Sequence, residues 1–320
     1  MMITWRLVMT SVLASVLLSS LTNAAAPLQK TQAPGYYRTM LGDMEVTVLS
    51  DGTFPMPVGK LLASIDATDL SAALTRSFLK DPVEASVNGF LINTGTKLVL
   101  IDSGAGQFFG PTLGNLVHNL RAAGYTPDQV DEVYITHLHP DHIGGLVDHG
   151  KAVFKHATVR IAKAETDYWL NPDNLRGAPA DGKSGFENAN AALKPYSTSG
   201  QLKPFTGDQE LIAGIRAVTT AGHTPGHSVY VVQSRGERLV LWGDLMHVAS
   251  VQFANPSVTI VYDTDPATAL VARTRIFADV AKSGEMVGGA HLPFPALGHL
   301  RAVDAGYTYV PVNYTSLKIH

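Results

Sequence analysis

The stretch Thr136-His137-Leu138-His139-Pro140-Asp141-His142-Ile143-Gly144-Gly145-Leu146 decides how this chain reads. It follows an apolar run, Val133-Tyr134-Ile135, of the kind that forms a buried strand. His137 and His139 are two residues apart, so at an extended strand end both side chains point the same way. Asp141 and His142 follow in a turn that Pro140 helps to set, and a helix is expected to begin near Ile143. One strand-to-helix turn therefore offers two imidazoles to one ion, and a carboxylate plus an imidazole to a second. Nitrogen and oxygen ligands without thiolate suit zinc, manganese, iron or cobalt. A lone histidine is usually a surface or hydrogen-bonded core residue. A cluster of three beside a carboxylate is different, because desolvating such groups without a cation is costly.

This H-x-H-x-D-H pattern resembles the first metal motif of the metallo-β-lactamase superfamily. Three further pieces extend the resemblance. Gly222-His223-Thr224-Pro225-Gly226-His227 comes just after a strand-like run. Trp242-Gly243-Asp244 ends Leu239-Val240-Leu241, and Gly289-Ala290-His291 follows Met286-Val287. Taken singly each is weak: Asp244 reads as a turn residue and His291 as a core histidine. Their order after the first motif matches the superfamily pattern throughout.

The resemblance implies that His137, His139 and His223 hold one ion. It assigns Asp141, His142 and His291 to the other, with Asp244 bridging. It implies two divalent ions, zinc foremost, about 3.5–4 Å apart and sharing a water whose pKa falls towards ~7. Such a pair polarises a carbonyl or phosphoryl oxygen and needs no protein nucleophile. That fits a chain with no cysteine and no G-x-S-x-G elbow. Asp141 and Asp244 are the expected catalytic carboxylates, Asp141 by accepting a proton after attack. His227 falls outside the ligand pattern and is expected in a supporting role. His118, His149 and His156 are expected to face solvent.

Outward from these motifs, strand-like runs alternate with helical ones. Residues 44–49, 85–93, 97–102, 130–135 and 158–162 read as strands, as do 215–219, 228–232, 238–242, 286–287 and 307–312. Residues 70–79, 112–123 and 164–170 read as helices. Asp265-Pro266 starts another with an N-cap and a proline at its first position, and Gly284 stops it. Residues 25–42 read as an extended arm and 53–64 as a loop. Residues 171–190, rich in Asn, Asp, Gly and Pro, read as a long excursion. Hairpins mixed with helices suggest two mixed sheets with helices outside. The pattern alone leaves the architecture open, and the resemblance supplies the α/β class and the αββα sandwich.

The 320 residues carry 45% hydrophobic side chains, enough for a sizeable core, and no linker divides residues 25–320, so a single domain is expected. Charged residues make up 16%, below the ~25% usual in soluble domains. Net charge is −3 and no basic run appears, which argues against a nucleic-acid partner. At the N-terminus a lone positive charge precedes an apolar stretch over 7–21 and the small residues Ala24-Ala25-Ala26. This reads as a signal peptide over residues 1–24, with a secreted or periplasmic product and no membrane partner after cleavage. The apolar run is short for the ~20 residues of a membrane span.

The surroundings narrow the resemblance. Ala33-Pro34-Gly35-Tyr36-Tyr37-Arg38, Phe109-Gly110-Pro111-Thr112-Leu113-Gly114, Val251-Gln252-Phe253 with Pro256-Ser257-Val258-Thr259, and Val310-Pro311-Val312-Asn313-Tyr314 resemble the methyl parathion hydrolase group. That group includes organophosphate triester hydrolases as well as lactone and aryl ester hydrolases, and its members are often dimers, so a homodimer is an expectation by analogy. It implies an aromatic pocket over the metals, here Phe109, Trp169 and Phe186, whose bland reading is core packing. His247 lies three residues past Asp244, with Ile260 and Tyr262 on the following segment. In the phosphotriesterase members these positions resemble smaller residues, so bulk here is expected to crowd a tetrahedral phosphotriester. The small-molecule substrate favoured is a lactone or aryl ester of the dihydrocoumarin type, with weak phosphotriesterase side activity. The alternatives are a phosphotriester hydrolase, a β-lactamase-type amide hydrolase, and a metal-binding module without activity.

Overall fold

Alternation along the strands sorts this chain into layers. The computed structural model describes residues 26–317, so the expected signal peptide over 1–24 lies outside the described residues. Residues 26–33 are exposed and irregular.

The first half comprises β1 (Tyr36–Leu41), β2 (Met44–Met56), α1 (Val58–Leu61), β3 (Leu62–Ala63), α2 (Ala67–Arg76), β4 (Val83–Asn93), β5 (Leu98–Ile101), α3 (Leu116–Ala122), β6 (Glu132–Tyr134) and α4 (Pro140–Ile143). Then come β7 (Val147–Asp148), β8 (Lys151–Ala152), β9 (Thr158–Arg160), α5 (Lys163–Trp169), α6 (Pro172–Gly177) and α7 (Lys183–Thr198). The second half comprises β10 (Gln209–Ile212), β11 (Ile215–Thr219), β12 (Ser228–Ser234), β13 (Glu237–Leu241), α8 (Ala249–Gln252), β14 (Thr259–Ile260), α9 (Pro266–Ser283), β15 (Met286–Gly288), β16 (Leu297–Val303) and β17 (Gly306–Pro311).

One sheet runs β1-β2-β4-β5-β6-β9, and the other β10-β11-β12-β13-β15-β16-β17. Both are mixed. The pairs β5–β6, β6–β9 and β13–β15 are parallel. Val46, Val48, Phe90, Ile92, Val99 and Ile101 leave one face of the first sheet and meet Ile215, Ala217, Tyr230, Val232 and Leu239 of the second. The opposite face sends Leu49, Leu91, Leu100 and Val133 against Leu116 and Leu120 of α3 and Phe186, Ala189 and Leu193 of α7. On the second sheet, Ile276, Phe277 and Val280 of α9 complete the packing. This is the αββα sandwich.

Helix α9 follows the sequence closely. Asp265 caps it by accepting the Thr268 N–H at 3.0 Å, and Gly284 ends it at φ 72°. Three expectations needed correction. Residues 53–64 are not a loop: β2 runs on to Met56 through a bulge between Ser50 and Gly52, and α1 and β3 follow. Ser50-Asp51-Gly52 imitates a turn, yet the Asp51 carboxylate is buried and accepts N–H groups of Ala105, Gly114 and Leu116, each at 2.9 Å. Residues 171–190 are not an open excursion but α6, a short connection and the first half of α7. Asn171 caps α6 by accepting the Asp173 N–H, with Pro172 at its first position. The apolar face of α7, Phe186, Ala189, Leu193 and Tyr196, starts inside the polar stretch. The arm over 25–42 yields β1 from Tyr36, and β10 and β16 were not foreseen. Among the described residues no helix is long and apolar enough to cross a membrane.

Candidate metal centre

The site sits where strand ends of both sheets meet. After β6 the chain reaches Thr136, whose N–H and hydroxyl both donate to the Asp102 carboxylate at 2.8 Å. His137 and His139 follow, and Pro140 opens α4, which carries Asp141 and His142. The second sheet supplies the rest. His223 lies between β11 and β12, Asp244 just past β13, and His291 just past β15. Gly243 has φ 53°, and an added Cβ would lie 2.8 Å from His227 Nε2 and 2.9 Å from Thr136 Cβ. Only glycine fits that approach to Asp244.

Asp244 is the centre of the cluster. Its Oδ2 lies 3.6 Å from His137 Nε2, 3.5 Å from His223 Nε2 and 3.2 Å from His291 Nε2. Its Oδ1 lies 3.2 Å from His142 Nε2. His139 Nδ1 is 3.0 Å from His223 Nε2, and Asp141 Oδ2 is 3.5 Å from His291 Nε2. Ligand atoms of His137, His139, His223 and Asp244 converge within 4.8 Å, and so do those of Asp141, His142 and His291. The buried His137 Nε2, His142 Nε2 and Asp244 Oδ1 have no hydrogen-bond partner. Buried polar atoms are normally partnered, so this converging set of nitrogen and oxygen donors fits cations.

Three outer ring nitrogens are held. His142 Nδ1 is 2.8 Å from Asp102 Oδ2, His223 Nδ1 is 2.8 Å from Asp263 Oδ1, and His291 Nδ1 is 2.9 Å from the Ser86 carbonyl. An Nδ1–H donated outward fixes the tautomer and leaves Nε2 free to face inward. His227 supports from outside: its Nε2 accepts the Asp244 N–H at 3.0 Å and its Nδ1 lies 2.8 Å from the Thr220 hydroxyl. Burial pulls His227 down to about 4, so it stays a neutral acceptor.

The two halves differ in charge. Burial pushes His137, His139 and His223 well below the ordinary histidine range, so they are neutral donors. At His142 and His291 burial pulls the same way, but Asp244 and Asp141 outweigh it, joined at His142 by Asp102. His142 is held well above its ordinary value and His291 is raised to about 9. Burial favours a neutral Asp244, yet its imidazole neighbours hold it well below the carboxylate range. This half draws a cation, and metal uptake there displaces protons.

The pocket positions fall into distinct places. Trp169 is buried, its ring edge-on to His139 at 5.5 Å, with Phe186 behind it at 4.7 Å. Tyr262 is 46% exposed and 6.4 Å from His139. Phe109 is 41% exposed and packs on Phe54 at 5.9 Å. His247 reaches the centre itself, its Nε2 3.1 Å from Asp244 Oδ2. Ile260 is buried in a separate apolar cluster with Leu62, Val248 and Val251. His118, His149 and His156 are exposed.

Sequence reading passed over Asp102, Asp263 and Glu165. Asp102 had a signal, a carboxylate ending the strand beside the one that delivers the first motif. Asp263 and Glu165 had none, because their partners lie far away in the chain.

The Metallo-beta-lactamase superfamily model matches residues 83–288, and the chain belongs to that superfamily. It is 37% identical to the hydrolase AbOPH of the β-lactamase superfamily, with a TM-score of 0.85 over 89% of this chain and all of that one. It is 28% identical to AidC, a dizinc quorum-quenching lactonase, with a TM-score of 0.82 over 88% of this chain and 99% of that one. It is also 23% identical to an N-acyl homoserine lactonase of Bacillus thuringiensis over 205 residues, 58% of this chain and 72% of the lactonase. A ribonuclease of Thermus thermophilus, TTHA0252, is 28% identical over 186 residues, which span 56% of this chain but 40% of that protein. The chain is a metal-dependent hydrolase of this superfamily with a dinuclear metal site.

Proposed function

We propose that this hydrolase opens lactones and cleaves aryl esters, and turns over phosphotriesters more weakly. The observation that carries the reading is Asp244, set among imidazoles from both ligand groups within hydrogen-bonding range. The lactonase relatives support it. Two divalent cations, zinc foremost, supply Lewis acidity at a carbonyl and activate water at neutral pH when bound.

The residues of the chain do the rest. Asp244 aligns both ligand groups. Asp141, whose side chain is 12% exposed, is the most accessible carboxylate of the centre and takes the proton released on attack. Trp169 and Tyr262 each stand edge-on to His139 and would bound a planar acyl group there. His247 narrows the space beside Asp244, which leaves less room for a third substituent on phosphorus. The sequence stretches around these positions resemble the methyl parathion hydrolase group, in which both chemistries occur.

The test is a screen of purified, metal-loaded protein against dihydrocoumarin, N-hexanoyl homoserine lactone, 4-nitrophenyl acetate, methyl parathion and nitrocefin. The expected result is the highest kcat/KM on a lactone or aryl ester. A preference for methyl parathion would install the phosphotriesterase reading, and turnover of nitrocefin alone the β-lactamase reading. Export to the periplasm is a further proposal from the N-terminal sequence, and sedimentation checks the homodimer. Intact mass of exported protein is expected to place the mature start between Ala24 and Pro27, and retention of Met1 would refute cleavage.

A further inference from the structure

Strand β4 outruns its neighbour on one side. Its pairing with β5 stops at Phe90 opposite Ile101, whereas its pairing with β2 continues to Val83. Over residues 83–89 one edge of β4 therefore has no strand beside it. The loop that carries His291 takes that place, although it follows β15 of the second sheet. The Asn88 N–H donates to the Ala290 carbonyl at 3.0 Å, and the Ser86 carbonyl meets His291 Nδ1 at 2.9 Å. Residues two apart along a strand turn their backbone groups to the same edge, so one short stretch of β4 makes both contacts.

The Asn88 side chain adds to that grip. Its Nδ2 donates to the Ala290 and Leu292 carbonyls, each at 2.9 Å, so the two bonds bracket His291. Both neighbours are carbonyls, so the NH2 is the end of the amide that faces them. Asn88 is buried, and its Oδ1 has no hydrogen-bond partner. An unpaired buried acceptor carries a cost, so the donors are what this amide contributes. The loop itself has little slack. A Cβ added at Gly289 would lie 2.3 Å from Trp242 Nε1 and 3.0 Å from Leu292 Cγ. His291 is thus fixed from β4 at its ring and at the backbone on either side.

We infer that Asn88 is a positioning residue for the ligand group Asp141, His142 and His291, and that it acts through His291. The inference needs only the dinuclear site and no particular substrate. Asp141 and His142 ride on α4, which follows β6 of the first sheet, whereas His291 arrives from the second. Its Nε2 has to meet them and lies 3.5 Å from Asp141 Oδ2 and 3.2 Å from Asp244 Oδ2. Asn88 and Ser86 give His291 a fixed reference on the first sheet, so all three ligands are placed against the same sheet. Without the amide the Ala290 and Leu292 carbonyls lose a buried donor and the loop is free to shift. Asn88 makes no hydrogen bond to His137, His139 or His223, so its loss falls on one ion and not on the other.

The experiment is competition of zinc-loaded protein with a graded chelator, read as the release of each ion, for wild type, Asn88→Val and Asn88→Ser. Valine suits a strand and removes the donors. His291→Ala and His139→Ala show which release belongs to which ligand group. Both Asn88 variants are expected to weaken the ion of Asp141, His142 and His291 about 10- to 100-fold and to leave the other within about twofold. Asn119→Ala is the control for stability alone. That amide links the Ser50 carbonyl to the Gly35 N–H, away from the His291 loop. It is expected to lower the thermal midpoint and shift neither release. Equal weakening of both ions by Asn88→Val overturns the inference, as does no weakening of either. A one-ion loss reproduced by Asn119→Ala also overturns it, because lowered stability would then suffice. If Asn88→Val does not fold, Asn88→Ser decides by the same two releases.

Discussion

Glu165 accepts the backbone N–H of Leu138 at 2.9 Å, midway between His137 and His139, and with its other oxygen accepts the Gly226 N–H at 2.7 Å. One fully buried carboxylate on α5 thereby ties the first ligand loop to the loop that carries His223. The Thr224 hydroxyl and the Trp169 indole are its other neighbours, and burial pushes its pKa up. Glu165→Gln leaves one of the two N–H groups facing an amide NH2. Affinity for the ion at His137, His139 and His223 is expected to drop about 10- to 100-fold, as for other outer partners of metal ligands. Metal content after dialysis against a graded chelator checks this. Unchanged retention of both ions would rule out the bracing role.

Metal removal should silence the protein. About two divalent ions per chain are expected, and chelation is expected to abolish hydrolysis and lower the thermal midpoint, because ions that bind only the folded chain stabilise it. Elemental analysis beside the activity assay decides. Full activity in stably metal-free protein is incompatible with the site.

Asp244→Ala removes the carboxylate on which both ligand groups converge. Turnover is expected to fall by several orders of magnitude, with fewer than two ions bound and an unchanged circular dichroism spectrum. Near wild-type turnover with a full metal complement would remove Asp244 from the centre.

Substrate choice should respond to bulk at the mouth. His247→Leu, alone or with Ile260→Thr and Tyr262→Leu, is expected to raise kcat/KM for methyl parathion relative to dihydrocoumarin. The expectation rests on crowding, since misplacement of about 1 Å costs ~100-fold. His247 and Tyr262 stand beside ligand residues, whereas Ile260 acts through the packing of β14, so its share should be the smallest. An unmoved ratio across the series means that crowding does not set the preference.

Stability should hinge on Arg273 of α9. Its guanidinium is buried and donates to the carbonyls of Leu245, Pro256 and Val258, and it lies 4.0 Å from Asp263, the partner of His223. Arg273→Ala takes the guanidinium from the Leu245 and Pro256 carbonyls and the positive charge from beside the Asp263 carboxylate, which keeps His223 and the Ile260 N–H, at an expected cost of roughly 3–5 kcal/mol. Urea unfolding of metal-loaded protein measures it. A loss below about 1 kcal/mol would show that water replaces the guanidinium.

What could be read from sequence was what is local. His137 to His142 are spelled out in one turn, and the ends of α9 are marked by Asp265 and Gly284. His223, Asp244 and His291 are legible only in their order, because each alone has an ordinary use. Ser50-Asp51-Gly52 is ambiguous in the sequence because a buried bulge and an exposed turn share the same residues, and the difference lies in N–H groups more than fifty residues away. The polar letters of 171–190 hid α7, whose stripe of Phe186, Ala189 and Leu193 needs the sheet beneath it to count as a face. Glu165 and Asp263 were silent because backbone amides and a distant imidazole leave no pattern in the chain.

The first sheet contributes His137, His139, Asp141 and His142, and the second contributes His223, Asp244 and His291. Neither half of the sandwich owns a complete coordination set. The ions therefore act as rivets through a seam, and their removal should loosen the molecule along a plane rather than everywhere. Amide exchange would quicken first at the loops after β6, β11, β13 and β15, while β2 and β4 keep their protection. Occupancy of the centre would then set how far the two leaves can part, so that metal supply governs mechanical integrity as well as turnover.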